Sequence, residues 1–254
     1  MRIKAIALNT FKEAVRNKIF YLLVFIGIFF VLSGKFISML TIGDKIKILK
    51  DVGLASINFI SVLIAIFTGI NLVYKEIDKK TIYNILSKPI ARRDFIIGKF
   101  VGISLTLFVA LFSMFLIFII FLYLDSGVFE LNLLYYFVML YMELLIIVSI
   151  TTLFSTFSTP ILSTIFTITL YLIGHVLWTF NQFKSLIISK SFKALLYMVY
   201  YILPNLEKFN IKNQLVMNQV PDFSLFLNSF IYAVIYICGM LFLSIYIFIK
   251  REFQ

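Results

Sequence analysis

Charged residues are scarce in this sequence, and their scarcity argues against a soluble protein. Of 254 residues, 14% are charged and 62% are apolar, whereas soluble domains carry about 25% charged residues. Several apolar runs of 18 or more residues indicate a polytopic helical membrane protein. The net charge of +11 then reflects basic loops on the cytoplasmic side of a membrane, and no nucleic-acid partner is expected.

Residues that build metal and catalytic sites are also rare. The chain has one cysteine, Cys238, and one histidine, His175, which argues against an intramolecular disulfide, a cysteine metal cluster and a multi-histidine site. The motifs GxxxxGK[ST], HExxH and GxSxG are missing, so no phosphate-binding loop or hydrolase centre is visible. The sequence therefore predicts a chain that is not an enzyme and carries no cofactor of its own.

Six apolar runs are each long enough to cross a bilayer as helices. A hydrocarbon core about 30 Å thick needs about 20 helical residues, and a helix satisfies its own backbone groups in lipid. The sequence thus predicts an all-α fold and a single membrane domain over residues 1–254. The expected spans are 19–40, 52–74, 100–124, 133–157, 161–180 and 226–249.

The basic residues predict the orientation of the spans. Of the 23 basic residues, five precede the first span, seven lie in the loop 75–99 and two follow the last span. The other nine are lysines in or near the loops that would lie on the opposite side. The positive-inside rule therefore predicts a multi-pass plasma-membrane protein with cytoplasmic N- and C-termini. Residues 181–225 then form an outer-face segment, too polar to span, with short helices.

Residues 1–18 have the pattern of an amphipathic helix. Ile3, Ala7, Phe11 and Ala14 share one helical face, and basic and polar residues occupy another. Such a helix lies in the membrane interface with its basic face toward the headgroups. The alternative is a basic tail that only sets the topology.

The loop 75–99 has the sequence KEIDKKTIYNILSKPIARRDFIIGK. Ile82, Ile85 and Leu86 share one helical face, and Pro89 ends the helix that they predict. A short helix held between two spans can transmit a movement, which a flexible loop cannot. The alternative is a helix that only rests on the membrane surface.

The sequence resembles the membrane subunit of type-2 ATP-binding-cassette (ABC) transporters, because it has that family's motifs in the same order. Within the family it is similar to the nitrous-oxide-reductase maturation permease. Members have a basic amphipathic elbow helix and a cytoplasmic loop of the form E-x-x-x-GT-x-x-x-LLS-x-P-x-x-R. Lys80 replaces the usual glycine of that loop. The residues that match this motif are Glu76, Thr81, Leu86, Ser87, Pro89 and Arg92. The pair Gly98–Lys99 matches a glycine–lysine pair that opens the third span in the family.

This resemblance implies a half-transporter with six spans. Two such subunits, as a homodimer or a similar heterodimer, would bind two separate ABC ATPase subunits that hold ATP and Mg²⁺. Residues 77–93 would be the coupling helix that contacts the ATPase. The resemblance, together with the apolar face described above, assigns this contact to Glu76, Thr81, Ile82, Ile85, Leu86, Ser87, Pro89 and Arg92.

Three polar residues inside predicted spans are candidates for a substrate path. Glu143 lies near mid-bilayer, His175 lies nearer the outer end of the fifth span, and Asn71 lies near the inner end of the second. A charged residue at mid-bilayer is costly, so Glu143 should face the protein interior or water. The alternative for Glu143 and His175 is a structural hydrogen bond between helices.

The predicted function is the permease subunit of an ATP-driven exporter-type complex. An ion-coupled secondary transporter is one alternative, although such carriers commonly show inverted repeats and several buried ionisable groups. A membrane scaffold without transport activity is the other.

Overall fold

The computed structural model describes residues 2–40, 43–78, 91–183, 197 and 200–250, without the side chains of 71–78 and 179–183. Within these ranges the regular elements are helices, as predicted. The α-helices are α1 (Arg2–Val15), α2 (Lys18–Met39), α3 (Lys45–Asp78), α4 (Arg92–Ser126), α5 (Leu133–Phe157), α6 (Pro160–Phe183), α7 (Lys212–Val216) and α8 (Phe223–Lys250), and a 3₁₀ helix covers Leu206–Phe209.

Six of the described helices are long and apolar enough to cross a membrane: α2, α3, α4, α5, α6 and α8. This confirms the predicted number of spans. The span α5 begins and ends where the sequence predicts it. The span α3 begins at Lys45, seven residues before the predicted start, and its 34 residues make it about 50 Å long. It therefore extends well beyond a hydrocarbon core of about 30 Å.

The spans form an up-and-down bundle around α3 and α5. These two helices contact each other, and α3 also packs against α2, α4 and α6. Their apolar side chains, among them Leu54, Ile57 and Leu144, are buried in one core. The helices α2, α6 and α8 are less buried and form the periphery. Both ends of the chain consequently lie at the same end of the bundle.

Helix α1 is separate from the first span and packs on α4. Asn17 is extended and accepts a hydrogen bond from the Ile19 backbone N–H at 3.0 Å, so it caps α2 and ends the run of α1. Ala7 and Ala14, two members of the predicted apolar face, are buried. That α1 lies in a membrane interface stays a prediction.

Residues 203–222, which we call the cap segment, cover the opposite end of the bundle. The 3₁₀ helix and α7 lie within it, and its apolar side chains enter the bundle. Lys212 pairs with Asp51 at 2.8 Å, and Lys50 donates a hydrogen bond to Asn218 at 2.6 Å. The buried apolar residues of the cap segment are Leu206, Phe209, Ile211 and Leu215.

Candidate functional site

Two of the three polar residues that the sequence singled out lie in contact. Glu143 lies about ten residues into α5, and His175 lies on α6. The Glu143 Oε1 and His175 Nε2 atoms are 3.2 Å apart. Glu143 is 1% exposed, so its carboxyl group faces the protein interior, as predicted. His175 is a polar partner for this carboxyl group.

A third residue, Glu207, completes a chain that crosses three elements. Its Oε2 atom lies 2.8 Å from His175 Nδ1, and its Oε1 atom accepts a hydrogen bond from the Asn210 side-chain amide at 2.9 Å. Glu207 belongs to the 3₁₀ helix of the cap segment. Glu207 is not among the residues that the sequence singles out. The sequence offers only a weak indication of its role, namely an acidic residue inside a partly apolar outer segment.

More than one arrangement of protons satisfies the two hydrogen bonds of His175. Each bond joins a nitrogen to a carboxyl oxygen, so each must contain one proton. With both protons on His175 the charges are those of an imidazolium and two carboxylates. With one proton on Glu143, the imidazole is neutral and Glu207 stays ionised. These two arrangements both give the Glu143–His175–Glu207 chain a net charge of about −1.

The three side chains of the Glu143–His175–Glu207 chain lie in a line and are not arranged as a metal centre. Glu143 and Glu207 lie on opposite nitrogens of His175, whereas metal ligands converge on one point. Within the described residues, no group of three or more His, Cys, Asp or Glu side chains could hold a metal ion.

Aromatic and amide groups enclose the inner part of this chain. The Tyr171 ring lies edge-on to the His175 ring, with 4.8 Å between centroids. The Tyr171 hydroxyl donates to Asn58 Oδ1 of α3 at 3.3 Å, and the buried Tyr136 hydroxyl donates to the Leu54 carbonyl at 2.9 Å. The site therefore lies where α3, α5 and α6 meet.

A cavity of about 670 Å³ opens next to Glu207 at the cap end of the bundle. Trp178 supplies an exposed indole to its wall, and polar side chains of the cap segment and of the start of α8 complete it. The side chain of Glu207 is 29% exposed and lines this cavity, so water in the cavity can reach the Glu207 end of the Glu143–His175–Glu207 chain. Glu143, at 1% exposure, is closed off from that water.

The half of α5 beyond Glu143 is lined by buried hydroxyl groups. Most of them donate to backbone carbonyls three or four residues earlier in the same helix, as the Ser149 hydroxyl does to Ile146 O at 2.7 Å. These bonds satisfy the hydroxyls within α5. The buried residues are Ser149, Thr151, Thr152, Ser155 and Thr156.

Asn71, the third candidate for a substrate path, lies in the helical part of α3, but its side chain is outside the described residues. It is therefore not assigned to the Glu143–His175–Glu207 chain.

The predicted ATPase-coupling residues lie mostly outside the described part of the chain. This applies to Thr81, Ile82, Ile85, Leu86, Ser87 and Pro89, and to the side chain of Glu76. Arg92 is described: its Nη1 atom donates to the carbonyls of Phe248 and Ile249 at 3.1 and 2.8 Å. Arg92 therefore joins the start of α4 to the end of α8, where a cation complements the helix dipole.

The same end of α4 holds α1 in close contact. A Cβ atom on Gly102 would lie 2.6 Å from the Ala7 carbonyl oxygen, and one on Gly98 would lie 2.7 Å from Ile6 Cγ2. Lys99, between these glycines, pairs with Glu13 of α1 at 3.7 Å. The backbones of α1 and α4 therefore lie in direct contact at these two glycines.

Comparison with known proteins gives one family. The family model described as "ABC-2 family transporter protein" matches residues 4–253, nearly the whole chain. No curated protein matches it. The family resemblance predicted from the sequence is confirmed, whereas the narrower likeness to the nitrous-oxide-reductase maturation permease stays a prediction.

Proposed function

Because the chain belongs to the ABC-2 transporter family, we propose that it is the permease of an ATP-driven exporter-type complex in the plasma membrane. It is a multi-pass membrane subunit of an ABC transporter. The family match over residues 4–253 is the observation that carries this proposal. The sequence contains no phosphate-binding loop, so ATP and Mg²⁺ would bind in a partner subunit.

The proposed complex contains two permease copies and two ABC ATPase subunits. The loop 75–99 joins α3 to α4, at the end of the bundle that also carries both termini. Its basic residues favour the cytoplasm, where an ATPase would bind. Arg92 connects this loop to α8, and Gly102 seats α1 on α4. A push on the loop would therefore reach several helices at once.

The proposed substrate path passes Glu143 and His175. Their contact joins α5 to α6 beneath an open cavity, and a costly buried acid inside a membrane generally marks a pathway or a proton relay. Asn71 is proposed to line the inner part of this path.

Reconstitution with the partner ATPase tests the proposal. The chain should co-purify with a P-loop ATPase encoded beside it, and the two together should hydrolyse ATP in vesicles. Failure of every neighbouring P-loop protein to bind would count against an ABC permease and in favour of a scaffold.

The substitution Leu86→Asp tests the coupling loop within this experiment. It should leave membrane insertion intact and abolish co-purification of the ATPase, because it places a charge in an apolar contact. Leu86→Met is the matched control, since it keeps an apolar side chain of similar volume, and it should bind normally. Undiminished binding and ATP turnover in Leu86→Asp would mean that the loop is a surface helix without a coupling role.

The contact of buried Glu143 with His175 supports an ion-coupled secondary transporter as a second candidate, because such carriers use buried ionisable groups. The permease alone, in vesicles containing a pH-sensitive dye, separates the two. An ABC permease should show no ATP-independent proton flux, whereas a flux lost in Glu143→Gln would favour the secondary transporter.

A further inference from the structure

The cap segment closes its end of the bundle with an apolar wedge. Leu206, Phe209 and Ile211 are each no more than 2% exposed. They belong to the core that α3 and α5 form with the other spans. A substrate path between the spans could not open at this end while these side chains stay in place.

Two adjacent residues of α6 hold the wedge. Gly174 allows close approach, because a Cβ atom at this position would lie 2.8 Å from both Leu206 Cγ and the Pro204 carbonyl oxygen. His175 then bonds Glu207, one residue after Leu206, at 2.8 Å. The apolar contact and the polar contact are therefore formed by neighbouring residues on both sides, Gly174 and His175 on α6 and Leu206 and Glu207 on the cap segment.

The anchor has one link that water can reach and one that it cannot. The side chains of His175 and Glu207 are 23% and 29% exposed, and Glu207 lines the open cavity, so water can replace His175 as the hydrogen-bond partner of Glu207. Glu143 is buried behind His175. The Glu143–His175 bond uses the other ring nitrogen, so it does not depend on the His175–Glu207 bond.

The other charged and titratable groups near the His175–Glu207 bond have partners of their own. Lys208 follows Glu207 in sequence, but its ammonium group lies over the Tyr232 ring at 4.1 Å. Asp222 lines the same cavity and accepts two hydrogen bonds from Ser224. Tyr171 contacts the His175 ring, and its hydroxyl donates to Asn58.

We propose that Glu207, His175 and Glu143 form a latch that holds the cap segment closed, and that this end of the bundle opens by breaking the His175–Glu207 bond. Glu207 and His175 are positioning residues for the wedge. The latch rests on the proposed function in one respect, which is that the end of the bundle that it closes is the exit of a substrate path.

Cysteine labelling of the wedge tests the latch in purified permease, without an ATPase. The reporter is Leu206→Cys in a Cys238→Ser background, labelled by a charged maleimide. Loss of one membrane hydrogen bond corresponds to roughly a 3- to 18-fold change in equilibrium. Glu207→Ala and His175→Ala should speed labelling by that factor, and Glu207→Asp should do so as well, because the shorter side chain does not reach His175.

Two matched variants separate the bond from the charge. Glu207→Gln keeps an oxygen that accepts from His175, so its labelling rate should stay within about twofold of the background. Asp222→Asn removes a charge from the same cavity, keeps a capping side chain and should have no effect. Background labelling rates in both Glu207→Asp and His175→Ala would overturn the latch.

A second reporter excludes unfolding as the cause of faster labelling. Thr152→Cys, at a buried position of α5, should stay unlabelled in every latch variant. If it becomes labelled in an alanine variant, the Glu207→Asp variant decides, and a background rate there rejects the proposal. Because no arm uses ATP, the latch can fail while the permease assignment stands, and the reverse.

Discussion

At the scale of single residues, Glu143 is an acidic side chain that is energetically unfavourable inside a membrane helix. Its surroundings explain how the fold tolerates it. A charged side chain at the centre of a membrane helix costs about 2.5–3.5 kcal/mol even on insertion scales that give low values. His175 lies against Glu143 and is itself bonded to Glu207. The carboxyl group of Glu143 is therefore satisfied by His175, whose second nitrogen bonds Glu207 at the edge of the open cavity.

The sequence made Glu143 and His175 visible, because each is a rare polar residue in an apolar run. It did not predict that they touch, since they are 32 residues apart and the rotation of α5 and α6 about their axes is set by packing. Glu207 was missed for another reason. Its segment is neither a clear span nor a clear loop, so only the folded cap segment shows that the residue points at α6.

Substitutions of Glu143 distinguish a structural role from a role in the path. Glu143→Gln keeps a hydrogen-bonding group of the same shape and should leave thermal stability almost unchanged. Glu143→Leu leaves His175 Nε2 without this partner and should lower the free energy of unfolding by about 1 kcal/mol, within the range measured for hydrogen bonds in membranes. Thermal unfolding in detergent measures both.

Turnover by the reconstituted complex completes the Glu143 test. If Glu143 lines the substrate path, Glu143→Gln should assemble normally and change substrate-stimulated ATP hydrolysis. Normal stimulation in Glu143→Gln, together with reduced stability of Glu143→Leu, would assign Glu143 a structural role alone.

At the scale of helices, hydropathy locates the spans but underestimates those that continue into water. The helix α5 was predicted to its ends, because Pro160 closely follows one end and polar residues precede the other. The helix α3 begins at Lys45 because its first two turns pack beneath the cap segment through Lys50 and Asp51. Such contacts between distant segments are invisible to a window of apolar residues.

The packing of α1 on α4 gives a prediction with a built-in control. Gly102→Ala places a methyl group 2.6 Å from the Ala7 carbonyl oxygen, a backbone atom that cannot turn away. Overpacking of this kind costs about 1–3 kcal/mol. Gly239→Ala is the matched change in α8, where a Cβ atom would meet nothing within 4 Å, and the better helix propensity of alanine should make it neutral or stabilising.

Thermal unfolding of both glycine variants and proteolysis of the N-terminal region are the measurements. We expect Gly102→Ala to unfold at a lower temperature and to expose residues 2–15 to protease. Equal stability of the two variants would show that α1 does not depend on close contact with α4.

At the scale of the whole molecule, the described spans leave broad apolar faces uncovered. Phe25 of α2, Ile161 of α6 and Ile235 of α8 are each at least 68% exposed. Lipid would cover these faces in a single copy, and a second permease would cover part of them in the proposed dimer. Composition alone could predict such faces, but it could not predict which helices present them.

The orientation of the bundle follows from its basic residues, and the proposed contact with an ATPase depends on it. The end with both termini and Lys88 should face the cytoplasm, and the end with Lys47 and Lys212 should face outward, because basic residues are retained on the cytoplasmic side. Single cysteines at positions 47, 88 and 212 in a Cys238→Ser background report this in intact cells. Position 47 should label best from outside, since Lys47 is half exposed whereas the Lys212 side chain, paired with Asp51, is 25% exposed. An impermeant reagent added outside should leave position 88 unmodified until the cells are opened. Labelling of position 88 in intact cells would invert the bundle and place the coupling loop where no ATPase could reach it.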